Sequence, residues 1–284
     1  MRKKEKNYFE GWYIKLLNGT ETIALIVSCH RTTDGAQKVM LQILTEDNSY
    51  QIDFSEKECY FGNRFLRIGE NVISIKGMHL HIVTERVTLI GNVKFSEWNV
   101  PQFDVMGPFA KVKCMPCFHT VHSIYHEVDG TLRLNGRVLT YKPGTCYIEG
   151  DRGCDFPRKY LWTQYTWEKH SLMFAIAELT MWKKTFLGCV GVLYADGKMM
   201  RIATYLGAKV IYADRHTQIV RQGKWLVIVE RNGGAGQLLK APVNGMLVRN
   251  VTESVTAQVH YRIFEGKRKV LDIMAQKAGF EESW

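Results

Sequence analysis

Proline is scarce in this chain, with six in 284 residues, and no low-complexity segment or short-period repeat interrupts it. Collagen-like, proline-rich and disordered architectures are excluded on that ground. Long apolar runs are also missing. TIALIV (22–27) and FLGCVGVLYA (186–195) fall well short of the ~18 residues a helix needs to cross a bilayer. The first residues, MRKKEKNYFEGWYIKL, pass from charge straight into aromatics without an apolar stretch of leader length, so secretion is not expected. The seven cysteines, an odd number scattered over a long chain, read as reduced thiols rather than a disulfide framework, which points to a cytoplasmic location. Basic runs are few, RKKEK (2–6) and EGKRK (265–269) being the exceptions, although the net charge is +10. Dispersed charge of this kind gives no reason to expect nucleic acid. It is compatible with peripheral contact with an anionic membrane, and it leaves the oligomeric state open.

What the sequence does contain is turns and strand formers. Asn-Gly or Asp-Gly occurs seven times, beginning at Asn18, Asp34, Asp129, Asn135, Asp196, Asn232 and Asn244, and this dipeptide supplies the positive φ angles of tight hairpins. Its flanks are short and rich in β-branched and aromatic residues, such as YIKLL and TIALIVSC around Asn18, HSIYHEV and TLRLNGRVL around Asp129, and GCVGVLY and KMMRIATY around Asp196. No long segment carries a clean 3.6-residue apolar stripe, so helices should be few and short. The expected class is all-β, built as antiparallel barrels or sandwiches that manage their own edges. A boundary near Lys142-Pro143-Gly144 divides the chain into two expected domains, 1–142 and 143–284. Halves of similar strand content permit an ancient duplication.

KCMPCFHTVHSIYH (113–126) places two cysteines and three histidines in one short stretch and invites a test for zinc, which takes four Cys or His ligands in a tetrahedron. Read as a strand, the stretch puts His122 and His126 on one face, roughly 13 Å apart, with His119 on the other. No second Cys-x-x-Cys completes a ligand set. No metal is expected here, and His119 remains as a single polar group of interest.

YFEGWYIKL (8–16), MGPFAKVKCMPCFHTVHS (106–123), CYIEGDRGCDFPRKYLWTQ (146–164), FLGCVGVLYADGKMMRIATYLGA (186–208) and LLKAPVNGMLVRNVTESVTAQV (238–259) together resemble the tocopherol cyclase family, in order and across nearly the whole chain. That family is similar in turn to carotenoid hydratases and lipocalin-like pericyclases. The resemblance implies two consecutive lipocalin-like β-barrel or sandwich domains and a cofactor-independent cyclase or isomerase acting on a hydrophobic, prenylated small molecule. An acid protonates a prenyl double bond, and a phenol oxygen captures the tertiary cation. Cys117 and His119 match positions shared in the family, whereas Cys114 and His122 stand where apolar residues are usual. Arg152 and Thr166 depart from the family pattern, which has an aromatic residue and an amide there.

A buried carboxyl flanked by aromatic faces suits this chemistry, because desolvation keeps the acid protonated and aromatic faces steady a cation. Glu10 lies two residues from Tyr8 and from Trp12, and Tyr147, Glu149 and Asp151 form a similar alternating set. The candidate acids are therefore Glu10 and Glu149, then Asp151, with His119 as an orienting or relaying group. Trp12, Tyr13, Tyr147, Trp162 and Gln164 are the candidate substrate-binding residues, with no cofactor required. A carrier that binds the same class of ligand without altering it is the alternative.

Overall fold

The computed structural model describes residues 7–113, 115–181, 184–243 and 246–284. Cys114, the basic run at 2–6 and the Asn244-Gly245 dipeptide lie outside the described residues. The chain is all-β, with two consecutive lipocalin-like antiparallel units. Among the described residues helix is confined to three short 3-10 turns, Glu56–Glu58, Gly107–Lys111 and Thr204–Leu206. Among the described residues no helix is long and apolar enough to cross a membrane.

Unit 1 comprises Met1–Gln102, Cys117–Asp155 and Pro242–Val248, and unit 2 comprises Phe103–Pro116, Phe156–Ala241 and Arg249–Trp284. The first sheet uses strands β1 (Tyr8–Leu17), β2 (Thr22–Arg31), β3 (Gln37–Leu44), β4 (Ser49–Phe54), β5 (Cys59–Gly62), β6 (Phe65–Ile68), β7 (Asn71–Ser74), β8 (Gly77–Val83), β9 (Thr88–Phe95), β10 (Cys117–Leu134) and β11 (Arg137–Gly153). Their order is β4-β3-β2-β1-β11-β10-β9-β8-β7-β6-β5. The second uses β12 (Tyr160–Trp167), β13 (His170–Met181), β14 (Lys184–Ala195), β15 (Lys198–Ala203), β16 (Lys209–Ala213), β17 (Thr217–Gln222), β18 (Trp225–Gly233), β19 (Gln237–Val243), β20 (Met246–Glu265) and β21 (Arg268–Ser283). Their order is β15-β14-β13-β12-β21-β20-β18-β17-β16, with β19 on β20. In each unit the first strand pairs with the last, and the last forms a long hairpin with a long strand before it, β10 with β11 and β20 with β21.

The expected turns at Asn18, Asp34, Asn135 and Asp196 all connect paired strands. Asp129-Gly130 does not. β10 runs straight through it, and Gly130, at φ 142°, sits at a register shift where an added Cβ would strike the Asn92 carbonyl of β9. Its glycine serves a bulge and a close backbone approach rather than a hairpin. Asn232-Gly233 likewise falls at the irregular end of β18. Pro143 and Gly144 lie inside β11, and the change of unit comes at Asp155 and Phe156. Proline is tolerated there because β11 begins to pair with β1 only at Thr145, so residue 143 owes no ladder hydrogen bond to a second neighbour.

Each unit has its own core. Trp12, Ile14, Leu16, Leu25, Val27 and Ile148 belong to that of unit 1, and Leu161, Phe174, Val229, Val259, Tyr261 and Phe280 to that of unit 2. Side chains buried this completely contribute roughly 1.5–3 kcal/mol each.

Candidate active site

β11 is central to unit 1, with β1 on one side and β10 on the other. Directly opposed residues in an antiparallel pair point the same way, and neighbours along a strand alternate. Glu149 is opposite Tyr13 of β1 and Val121 of β10, and Asp151 is opposite Gly11 and His119. Tyr13, Tyr147, Glu149, Asp151, His119 and Cys117 therefore share one face. The other face carries Trp12, Ile14 and Ile148 into the unit 1 core. The first face is covered as well, since Tyr147 and Glu149 are only 1% and 5% exposed.

On this face the polar groups form a chain. The Tyr147 hydroxyl donates to Glu149 Oε2. His119 lies between the two carboxyls, with Nε2 at 3.3 Å from Glu149 Oε2 and Nδ1 at 3.0 Å from Asp151 Oδ1. The Cys117 thiol donates to the same Asp151 oxygen at 3.5 Å. Burial, followed by the neighbouring Glu149 charge, pushes the Tyr147 phenol well above its ordinary range, so it remains a donor. Asp151 accepts from Nδ1–H, and Nε2 lies within ion-pair distance of Glu149 Oε2 without the alignment of a hydrogen bond. Glu149 is buried, so its interaction with the neighbouring imidazole is strong.

Register irregularities create this contact. Carried unbroken from the Leu134–Arg137 end of the hairpin, the β10–β11 pairing would set His119 opposite Arg152. Shifts at Val121/Ser123, Ser123/His126 and Val128/Gly130 set it opposite Asp151 instead. One residue of slip changes the face a side chain occupies, so the bulges decide whether the imidazole meets a carboxylate or a guanidinium.

The sequence candidates are thus divided. Glu149, Asp151, His119, Tyr147 and Tyr13 come together. Glu10 does not join them: it is opposite Arg152, on the face that carries Trp12, and its Oε2 accepts from the Tyr8 hydroxyl at 2.7 Å. Trp12 packs against His122 with ring centroids 4.4 Å apart and against Trp98 at 6.5 Å. Burial holds His122 down at about 4 and His126 at about 3, so both are neutral core histidines, His126 bonding Ser123 Oγ at 2.9 Å. Arg152 stacks over Phe118, 5.6 Å from the ring centroid, on the face away from Glu149. Trp162 and Gln164 belong to unit 2. Gln164 is fully buried and donates to Thr166 and Ser171 at 2.8 and 3.2 Å, which gives Thr166 a structural partner.

Sequence reading missed three polar residues of unit 2. Glu253 of β20, Glu281 of β21 and Tyr160 of β12 stand far apart in the chain and carry no local motif. The Tyr160 hydroxyl donates to Glu281, and Glu253 is directly opposite Glu281 with 2% exposure.

His119, Glu149 and Asp151 offer ligand atoms within 4.8 Å of one another, close enough to hold a divalent cation. A cation on Nε2 beside Glu149 would leave Asp151 as the outer partner of Nδ1–H. As placed, each imidazole nitrogen lies nearest a different carboxyl. An open surface groove of about 580 Å³ in unit 1, lined by Lys94, Phe95, Ser96, Glu127, Val128, Asp129, Lys142 and Pro143, includes none of the candidate residues.

Fold and site together define a two-unit lipocalin-like β protein with a buried acid–base chain. No protein-family model matches the sequence, and no curated protein does. Among solved structures the chain is similar to a Nitrosomonas europaea protein provisionally named AttH, at 12% identity and a TM-score of 0.59, over 98% of this chain and 93% of that one. It is also similar to kievitone hydratase from Nectria haematococca, at 10% identity and a TM-score of 0.52, over 98% of this chain and 88% of that one. At these identities the likeness establishes the shared fold.

Proposed function

We propose that the protein is a cofactor-independent acid–base catalyst that adds oxygen across an alkene of a hydrophobic, prenylated small molecule, by ring closure as in tocopherol cyclases or by water addition. The observation that carries this reading is His119 set between Glu149 and Asp151, with Tyr147 on the same Glu149 oxygen. Glu149 gives its proton to the less substituted alkene carbon. The π bond breaks, a C–H bond forms, and the tertiary cation is left facing aromatic rings such as Tyr13. A phenol oxygen of the same molecule, or a water, attacks the cation and loses its proton, which returns to Glu149 through His119. Asp151 holds the imidazole in the required orientation throughout. The net change is an isomerisation in the first case and a hydration in the second. The hydratase among the structural neighbours supports the choice of alkene chemistry, and the sequence resemblance supports the prenylated substrate.

Incubation of the protein with prenylated hydroquinones, followed by chromatography and mass spectrometry, should yield a cyclised or hydrated product. Glu149→Gln, which removes the acid at constant shape, should lower turnover about 10²–10⁴-fold. Stoichiometric binding of the quinol without any product would establish the carrier reading in its place.

A further inference from the structure

Two buried polar residues of unit 1 stand outside the chain of groups from Tyr147 to Cys117. His30 and Ser28 of β2 are 4% and 7% exposed, and among the described residues neither ring nitrogen of His30 nor the Ser28 hydroxyl has a hydrogen-bond partner. Buried polar groups in folded proteins are nearly always satisfied, and each exception asks for a reason. Residues 28 and 30 alternate along one strand and so share a face, which makes one reason for both the economical reading.

Register puts that face in line with the candidate acid. Ser28 is opposite Gly11, Gly11 is opposite Asp151, and Asp151 is opposite His119. In the neighbouring rows His30 is opposite Phe9, and Tyr13 is opposite Glu149. Gly11 brings no side chain to its row, so Ser28 and Asp151 stand on either side of bare backbone, two strand spacings or roughly 10 Å apart. Phe9 and Tyr13 bound this stretch along β1, and Phe9 stacks on the His30 ring with centroids 6.4 Å apart and planes at 19°. From Ser28 the Glu149 position lies two strands across and two residues along, roughly 12 Å on the diagonal. An aromatic ring with a short side chain covers that span. Burial keeps the His30 imidazole neutral, so it carries one donor and one acceptor nitrogen, and the serine hydroxyl plays both parts too. A hydroxyl group is their complement, whereas an alkyl chain would satisfy none of the three atoms.

We infer that His30 and Ser28 form a head-group subsite: they hydrogen-bond a ring hydroxyl of a phenolic ligand whose ring lies over Gly11, between Phe9 and Tyr13, with its side chain directed towards Glu149. This rests on the reading of unit 1 as an alkene catalyst for what happens at the side chain, but not for recognition of the hydroxyl. The hydroxyl held by His30 and Ser28 is the one remote from the alkene, which leaves the nearer oxygen available to attack the cation.

The probe is hydroquinone without a prenyl chain, titrated into the full chain carrying ¹⁵N-histidine and followed through the ring-nitrogen resonances of His30. These should shift saturably in the wild-type protein. His30→Phe, which keeps a ring and removes both nitrogens, should weaken hydroquinone binding about 5- to 100-fold, and Ser28→Ala about 2- to 10-fold. Each substitution also removes a buried group without a partner, so without ligand each variant should unfold at a urea concentration equal to or above that of the wild type. Loss of stability together with loss of binding would make the two residues structural and overturn the assignment. His30 resonances that stay unshifted at saturating hydroquinone, as expected of groups that hold only buried water, would overturn it without any substitution. Hydroquinone binding that depends on His30, with no product from the prenylated quinol, would support the subsite and remove the catalytic reading of unit 1.

Discussion

Units 1 and 2 share a strand order at their centres and differ in how a buried glutamate is kept company. In unit 1 a histidine stands between two carboxyls. In unit 2 two glutamates oppose each other, with a tyrosine on one of them. Both units place a glutamate on the last strand, opposite an aromatic residue of the first. The third strand sets what that glutamate meets, an imidazole in unit 1 and a second carboxyl in unit 2.

The comparison is broken most severely by substituting the glutamates in turn. Glu149→Gln should cost about 10²–10⁴ in turnover, and more than Glu281→Gln, because the imidazole proposed to return the proton stands beside Glu149. Equal losses would make the units equivalent. His119→Asn should approach the Glu149→Gln loss, whereas Glu10→Gln, on the opposite face of β1, should leave turnover within about threefold. Replacement of the core ring by Trp12→Ala should destabilise unit 1 by about 3–5 kcal/mol in urea unfolding, with Phe280→Ala as the counterpart in unit 2.

Acid should also separate the units. Burial, helped for His30 by nearby Lys38, holds His30 and His122 at about 4 and His126 at about 3, and all three lie in unit 1. In the unfolded chain these rings protonate near 6.5, so below that pH the unfolded state binds more protons and gains on the folded one. Stability is complete above about pH 6.5 and should decline from there towards pH 4, by about 1.4 kcal/mol per pH unit for each histidine. His126→Gln should flatten that slope in a urea-unfolding series across pH. A smaller loss of stability is expected of Tyr147→Phe, which removes one donor to Glu149 and should cost about 1–2 kcal/mol.

Much of this was legible in the chain. Strand class and four tight turns followed from Asn-Gly and Asp-Gly between β-branched flanks, and the alternation of Tyr147, Glu149 and Asp151 placed three polar groups on one face. The meeting of His119 with Asp151 was not legible, because their register depends on bulges whose positions no local residue pattern announces. Gly130 illustrates the difficulty: the same Asp-Gly that closes a hairpin elsewhere here accommodates a neighbouring backbone. The Glu253–Glu281 pair was hidden for the same reason, since its two members are joined only through a long hairpin with shifted pairing. Glu10 is the candidate acid that the strand register separates from the others. Its alternation with Tyr8 and Trp12 was read correctly, but β1 turns that face to the core.

Turnover of a prenylated hydroquinone in D₂O tests the central claim most directly. Proton delivery from Glu149 to the alkene predicts one deuterium per product molecule, on the carbon next to the new C–O bond, with the yield of that product cut about 10²–10⁴-fold in Glu149→Gln. Recovery of unchanged quinol, or of product without deuterium at that carbon, would contradict it.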